Sequence, residues 1–238
     1  MIVKGKAIRL LQGGSGKPML FLHGWPTTPP AYKCALELLA KRFTVYAPYM
    51  FDTKCKNVHC IADCLKAMLK GLGLGKVVVV GTSFGGAVAG LLAQDNKLVS
   101  HVVLVNPAGV PRHASFAKMF ANLLKSSAFM LAHGRVEHLF HRFSAAFSFF
   151  ASLRHREMRK LFKEIKSSTK THGCYLFQNI TAKTTLVWCT KDFTFPLSNA
   201  HILHTMIKHS KLLIVEGDHY WPFHKPKHFA ETVISAVK

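Results

Sequence analysis

Apolar and largely β-branched runs recur along the chain at Met19–Leu22, Phe43–Pro48, Val77–Val80, Val102–Val105, Thr185–Cys189 and Lys211–Val215. They show little polar alternation, the pattern of strands buried on both faces rather than of sheets with one wet side. Stretches of helical period separate them, and Ala87 to Gln94 read as an apolar helix directly after the valine run. Strand and helix patterns alternate from Met19 to Ala108 and again from Thr184 to Lys238. This order predicts the α/β class, with a doubly wound, mostly parallel sheet. At the N-terminus, Ile2 to Leu11 followed by Gln12-Gly13-Gly14-Ser15-Gly16 predicts an antiparallel hairpin.

The chain has 238 residues, 49% of them hydrophobic. That length suits one full α/β domain with a large core and leaves little room for a second. No internal repeat or low-complexity tract interrupts it.

The valine run stops at Gly81-Thr82-Ser83-Phe84-Gly85-Gly86. A serine between a buried strand and a helix, with small residues two positions to either side, is the pattern of a tight turn that pushes its hydroxyl out above the sheet edge. The N–H groups opening the following helix then point at whatever the hydroxyl attacks. Such a nucleophile requires a base and an orienting acid. Candidates stand just beyond the carboxyl ends of other strands, where an open parallel sheet gathers its functional groups. Asp192 follows Thr185–Cys189, and His219 follows Lys211–Val215. Asp218, the neighbour of His219, is the rival acid, but its side chain would have to fold back onto the next residue. Asn106 ends another strand and lacks the carboxylate needed to stabilise an imidazolium.

These motifs resemble those of the α/β-hydrolase family. The likeness rests on the turn His23-Gly24-Trp25, the elbow at Gly81 to Gly85, the acid at Asp192, and Gly217-Asp218-His219 with Trp221-Pro222-Phe223 behind it. The resemblance implies that Ser83 is the nucleophile, His219 the general base and later acid, and Asp192 the residue that fixes the imidazole tautomer. It also implies an oxyanion hole from the backbone N–H groups of Trp25 and Phe84, and no metal or organic cofactor. Cys189, and Tyr49-Met50-Phe51-Asp52 after the second strand, depart from the family pattern and bear on loop shape rather than on these three residues.

Between the two halves of the core, residues 1–110 and 180–238, the segment 111–179 is helical in period and rich in Phe. In this family such an insertion resembles a cap over the nucleophile. Phe116, Met119, Phe120, Leu123 and Leu124 follow helical spacing, and Phe140, Phe143, Phe147 and Phe150 form a broader apolar face. Packing of the cap onto the core accounts for most of these residues. Phe120, Phe143, Phe147 and Trp221 are the residues expected to line an acyl pocket.

The formal net charge is +21. Such a charge attracts anions, yet the basic residues are scattered and no nucleic-acid motif is present, which excludes nucleic acid as the expected partner. Weak contact with an anionic membrane surface is compatible with the charge, and no run reaches the roughly 20 apolar residues needed to span a bilayer. Six cysteines without a C-x-x-C pair, and no leader before Met19, point to a reducing cytoplasm. Cys60 and Cys64 fall one helical turn apart with Cys55 and His59 nearby; helix packing is the expected role, a thiolate metal site the alternative.

The chain is therefore expected to be a cytoplasmic serine hydrolase of small carboxylic esters or thioesters with an apolar acyl group. A serine at the elbow attacks acyl carbon, whereas relatives that open epoxides use a carboxylate there. The alternatives are a carbon–carbon bond hydrolase of ring-cleavage dienoates and a non-catalytic ligand-binding protein on the same fold. Oligomeric state is left open.

Overall fold

The computed structural model describes residues 1–25, 27–110 and 175–238. The helices expected within the cap, and with them Phe120, Phe143 and Phe147, lie outside the described residues.

The strand runs form a seven-stranded sheet in the order β3-β5-β4-β6-β7-β8-β9. Its members are β3 (Leu10–Gly13), β4 (Lys17–Leu22), β5 (Phe43–Pro48), β6 (Val77–Thr82), β7 (Val99–Val105), β8 (Lys183–Cys189) and β9 (Lys211–Val215). Every pairing is parallel except that of β3 with β5. The sheet is thus mostly parallel, as the unbroken apolar runs require.

The N-terminal hairpin is shorter than the sequence predicts. Only β1 (Ile2–Val3) and β2 (Lys6–Ala7) pair with each other. Leu10–Gly13 instead joins the main sheet beside β5, and residues 14–16 carry the chain past the start of β5 into β4. Sequence spacing suggested that neighbours in the chain would pair, but the register of Leu10 against Pro48 places β5 between them.

Successive residues of each strand face opposite layers. In β4, Leu20 and Leu22 enter one apolar cluster, and Met19 and Phe21 enter the other. In β6 the split is Val77 and Val79 against Val78 and Val80. The first cluster is completed by α2 (Val58–Gly71), α3 (Phe84–Leu92) and the helix Ser198–Met206; the second by α1 (Lys33–Ala40) and the C-terminal helix Pro226–Val237. Helix α2 presents Val58, Ile61, Leu65, Met68 and Leu69 at helical spacing, all buried. Each such side chain contributes about 1.5–3 kcal/mol relative to exposure. Two-sided burial of the central strands makes the sheet a rigid platform, and functional groups of such a sheet gather beyond its carboxyl edge.

Two cysteines expected as reduced thiols, Cys55 and Cys60, are joined in a disulfide; Cys34, Cys64 and Cys189 are free. No helix among the described residues is long and apolar enough to cross a membrane.

Candidate active site

Ser83 sits between β6 and α3 with φ 51° and ψ −117°, a conformation that L-residues avoid. The strain is held by packing on both sides. A Cβ at Gly81 would collide with the carbonyl of Gly85, and one at Gly85 with the carbonyl of Leu22. Only glycine allows α3 to come this close to β6 and β4. Backbone bonds tie the elbow to the next strand: Ser83 N–H donates to the Val105 carbonyl at 3.0 Å, and Ala108 N–H donates to the Ser83 carbonyl at 2.9 Å.

Three side chains from separate strand ends meet here. His219 Nε2 lies 3.1 Å from Ser83 Oγ, and its Nδ1 lies 2.7 Å from Asp192 Oδ2. A carboxylate only accepts, so the imidazole proton sits on Nδ1 and leaves Nε2 facing the hydroxyl as an acceptor. Phe195 and Tyr220 stand edge-on to the imidazole, with ring centroids 5.2 and 5.4 Å away.

Asp192 is fixed by four donors. Oδ1 accepts from Thr194 N–H and Phe195 N–H, both at 2.8 Å; Oδ2 accepts from His219 and, at 2.5 Å, from Asn106 Nδ2. The Asn106 amide is itself oriented, since Cys189 Sγ donates to its Oδ1 at 3.3 Å. Burial, and then the nearby Asp192 charge, push the Cys189 thiol well above its ordinary range, so it keeps the proton it donates. Asp218, the rival acid, faces elsewhere: its Oδ1 accepts from Tyr220 N–H at 2.8 Å and approaches His224 Nε2 at 3.5 Å.

The opposite wall is the turn after β4. Gly24 lies close enough that a Cβ there would be 3.3 Å from that of Ser83, and its N–H donates to Tyr32 Oη at 3.1 Å. Tyr32 Oη in turn bonds Thr82 Oγ1 at 3.0 Å, which ties the turn to β6. Burial pushes the Tyr32 phenol upward, so it remains a neutral hydrogen-bonding group. His23 is fully buried and lowered to about 4 by that burial. As a neutral ring it donates from Nδ1 to the Gly24 carbonyl at 3.0 Å and accepts from Met50 N–H at 3.3 Å through Nε2. It is a brace for the turn. Trp25 follows Gly24 on this turn, and Phe84 opens α3, where the first N–H groups have no acceptor within the helix. Both expected oxyanion donors therefore belong to segments flanking Ser83.

Trp221, expected to line the acyl pocket, does not. Its side chain is fully buried and packs against Phe229 and His228 on the C-terminal helix, with ring centroids 5.3 Å away in both cases. An indole enclosed in the core cannot touch a substrate. Asn106 and Tyr32 are the residues that sequence reasoning missed. The first offers no carboxylate that would mark it in the sequence, and the second carries no motif of its own.

A serine, an imidazole and a carboxylate in hydrogen-bond sequence, set at the carboxyl edge of a parallel sheet beside a helix N-terminus, form an apparatus for activating a hydroxyl. The alpha/beta hydrolase family model matches residues 19–232. The chain belongs to the alpha/beta hydrolase family. Among curated relatives of this hydrolase, an uncharacterized protein of Mycobacterium tuberculosis is 27% identical over 257 residues, covering 92% of this chain and 75% of that protein. A soluble epoxide hydrolase of a Corynebacterium species is 31% identical over 108 residues, covering 40% of this chain and 36% of that protein. Among solved structures, a bacterial membrane phospholipase A superposes with a TM-score of 0.82 at 19% identity, covering 100% of this chain and 84% of that one. At that identity the structural likeness speaks for the fold alone.

Proposed function

We propose that this hydrolase cleaves carboxylic esters or thioesters with an apolar acyl group, through an acyl-enzyme formed on Ser83. The observation that carries the reading is the continuous contact from Ser83 Oγ through His219 to Asp192, at 3.1 and 2.7 Å. In the first step Ser83 Oγ bonds to the acyl carbon while its proton passes to His219 Nε2. The developing oxyanion turns toward the N–H groups of Phe84 and Trp25. Collapse breaks the bond to the leaving alkoxide or thiolate, which takes the proton from His219. Water then enters, gives a proton to the same nitrogen and attacks the acyl carbon, and Ser83 leaves with that proton.

The residue at the elbow separates this reading from the chemistry of the epoxide hydrolase relative. Ring opening at alkyl carbon in this family uses a carboxylate nucleophile, and this chain carries serine. The fold likeness to a phospholipase A fits an apolar acyl substrate but does not by itself argue for one.

The test is labelling of the protein with a fluorophosphonate probe, followed by turnover of nitrophenyl esters of graded acyl length. Labelling at Ser83 and ester turnover that Ser83→Ala abolishes are the expected results. A protein that neither labels nor turns over esters is a binder on this fold, and full activity in Ser83→Ala would place the nucleophile elsewhere.

A further inference from the structure

Away from the serine site, the described residues gather one other set of reactive side chains. Cys55 follows the short turn Met50–Thr53, while Cys60 and Cys64 stand four residues apart on α2. The three sulfurs all lie within 4.8 Å of one another, with Cys55 Sγ 3.8 Å from Cys64 Sγ. Their backbone is held in place. Asn57 caps α2 by accepting the Cys60 N–H at 2.7 Å, and Cys55 N–H donates to Thr53 Oγ1 at 3.3 Å. From the neighbouring strand β2, Lys6 Nζ reaches Cys55 Sγ at 3.1 Å and Cys60 Sγ at 3.5 Å. Cys55 and Cys64 are buried and Cys60 is half-buried, so the group is open to solvent on one side.

We propose that Cys55, Cys60 and Cys64, once the Cys55–Cys60 bond is reduced, form a three-thiolate site for a soft monovalent d10 cation of the Cu+ type. Thiolate sulfur selects soft metals. The three sulfurs form a triangle, and among the described residues no fourth histidine, cysteine or carboxylate joins them. A divalent zinc site would call for a fourth ligand. Three thiolates around a monovalent cation retain two negative charges. The Lys6 ammonium, within reach of two of the sulfurs, offsets that charge and supplies N–H donors from outside the ligand shell.

Opening the disulfide with a trialkylphosphine in water oxidises phosphorus to the phosphine oxide, with oxygen from water, and leaves two thiols. Binding the cation then releases one proton from each of the three thiols and forms three metal–sulfur bonds.

The experiment uses the full chain, reduced with phosphine, desalted without oxygen, and titrated with Cu+ against the coloured chelator bicinchoninate. The reduced protein is expected to withdraw one equivalent of Cu+ and to develop sulfur-to-copper charge-transfer absorption, while the unreduced protein withdraws none. Cys60→Ser and Cys64→Ser should each abolish that retention with the circular dichroism spectrum unchanged, and Cys34→Ser should keep it. Lys6→Met should weaken it on the order of 10-fold, the usual scale for a group that supports the ligands from outside. Failure of the reduced protein to retain Cu+, retention that persists in both Cys60→Ser and Cys64→Ser, or preference for Zn2+ over Cu+ would each overturn the assignment. None of these readouts depends on hydrolytic activity.

Discussion

Asn106 donates its side-chain amide to the same oxygen of Asp192 that faces His219, at 2.5 Å. Asn106 follows β7 directly and Asp192 lies three residues beyond the end of its parallel neighbour β8, and Asn106 N–H also bonds the Val187 carbonyl at 3.0 Å. The Asp192 carboxylate is thus oriented by a neighbour that contributes no charge of its own.

Replacing Asn106 by Leu removes that donor at nearly constant volume. A hydrogen bond to a charged group is worth about 1.5–3 kcal/mol. Ester turnover should therefore fall by roughly 10- to 100-fold in kcat, with KM little changed, because Asn106 acts through Asp192 and does not touch substrate. Steady-state kinetics on a nitrophenyl ester separate the two constants, and a change confined to KM would remove Asn106 from this role.

Asp192→Asn should be more damaging. An amide at this position can present its NH2 to His219 Nδ1, which favours the tautomer with the proton on Nε2 and turns the base into a donor toward Ser83. Losses of about 10,000-fold in kcat accompany such a tautomer change. Full fluorophosphonate reactivity in Asp192→Asn would show that the orientation of His219 does not require this carboxylate.

Tyr32→Phe deletes the acceptor for Gly24 N–H and breaks the link to Thr82. Leaving a buried donor unpaired costs about 1–3 kcal/mol. For a domain of this size each kcal/mol lowers the melting temperature by roughly 2–4 °C. The variant should melt lower and turn over more slowly, since the loosened turn carries Trp25. Calorimetry and kinetics together check it; an unchanged melting temperature would mean that the hydroxyl does not hold the turn.

Acid should destabilise the fold through His23. Its folded value is about 4 against an ordinary 6.5, because burial opposes the charged ring. Between those values the unfolded chain binds the proton and the folded chain does not. Stability from this group is complete above about pH 6.5 and is lost as pH falls toward 4. His23→Gln, which can still donate to Gly24 and accept from Met50, should show a shallower decline in melting temperature across that interval. An identical slope in the variant would assign the acid sensitivity to other groups.

Contact with an anionic membrane surface is expected to be weak and salt-dependent. The chain carries a net charge of +21, and Phe193, the residue after Asp192, is 69% exposed. Cosedimentation with phosphatidylserine vesicles at low salt should fall as salt rises through the physiological range, and Phe193→Ser should reduce it. No cosedimentation at low salt would remove the membrane from the account.

Much of the frame was legible in the residue order. Val77–Val80 and Met19–Leu22 read as doubly buried strands because both faces of a parallel sheet are covered, and the two apolar clusters divide those strands residue by residue. Ser83 was legible because the close approach of α3 to β6 and β4 demands glycine two positions away on either side, a local requirement that leaves a mark in the chain. His219 and Asp192 were legible as strand-end residues.

Other features depend on neighbours far along the chain. Trp221 stands two residues from His219, yet it turns into the core because the C-terminal helix supplies Phe229 and His228 beneath it. Leu10–Gly13 pairs with β5 rather than folding back on the preceding strand, since the open edge of a large sheet offers a full ladder of hydrogen bonds. Lys6 reaches Cys55 and Cys60, 49 and 54 residues further along the chain, because strand β2 lies against the turn Met50–Thr53.

The chain alone, then, determined which residues are strands, which turn is strained and which side chains end at the carboxyl edge, because burial period and backbone strain are properties of short segments. Tertiary structure decided the distances among Ser83, His219 and Asp192, the support from Asn106 and Tyr32, and the gathering of three sulfurs beside Lys6. The contacts among Ser83, His219, Asp192 and Asn106 join segments tens of residues apart, and only the register and twist of the sheet bring them within hydrogen-bond reach; Lys6 meets the sulfurs across a similar span of chain.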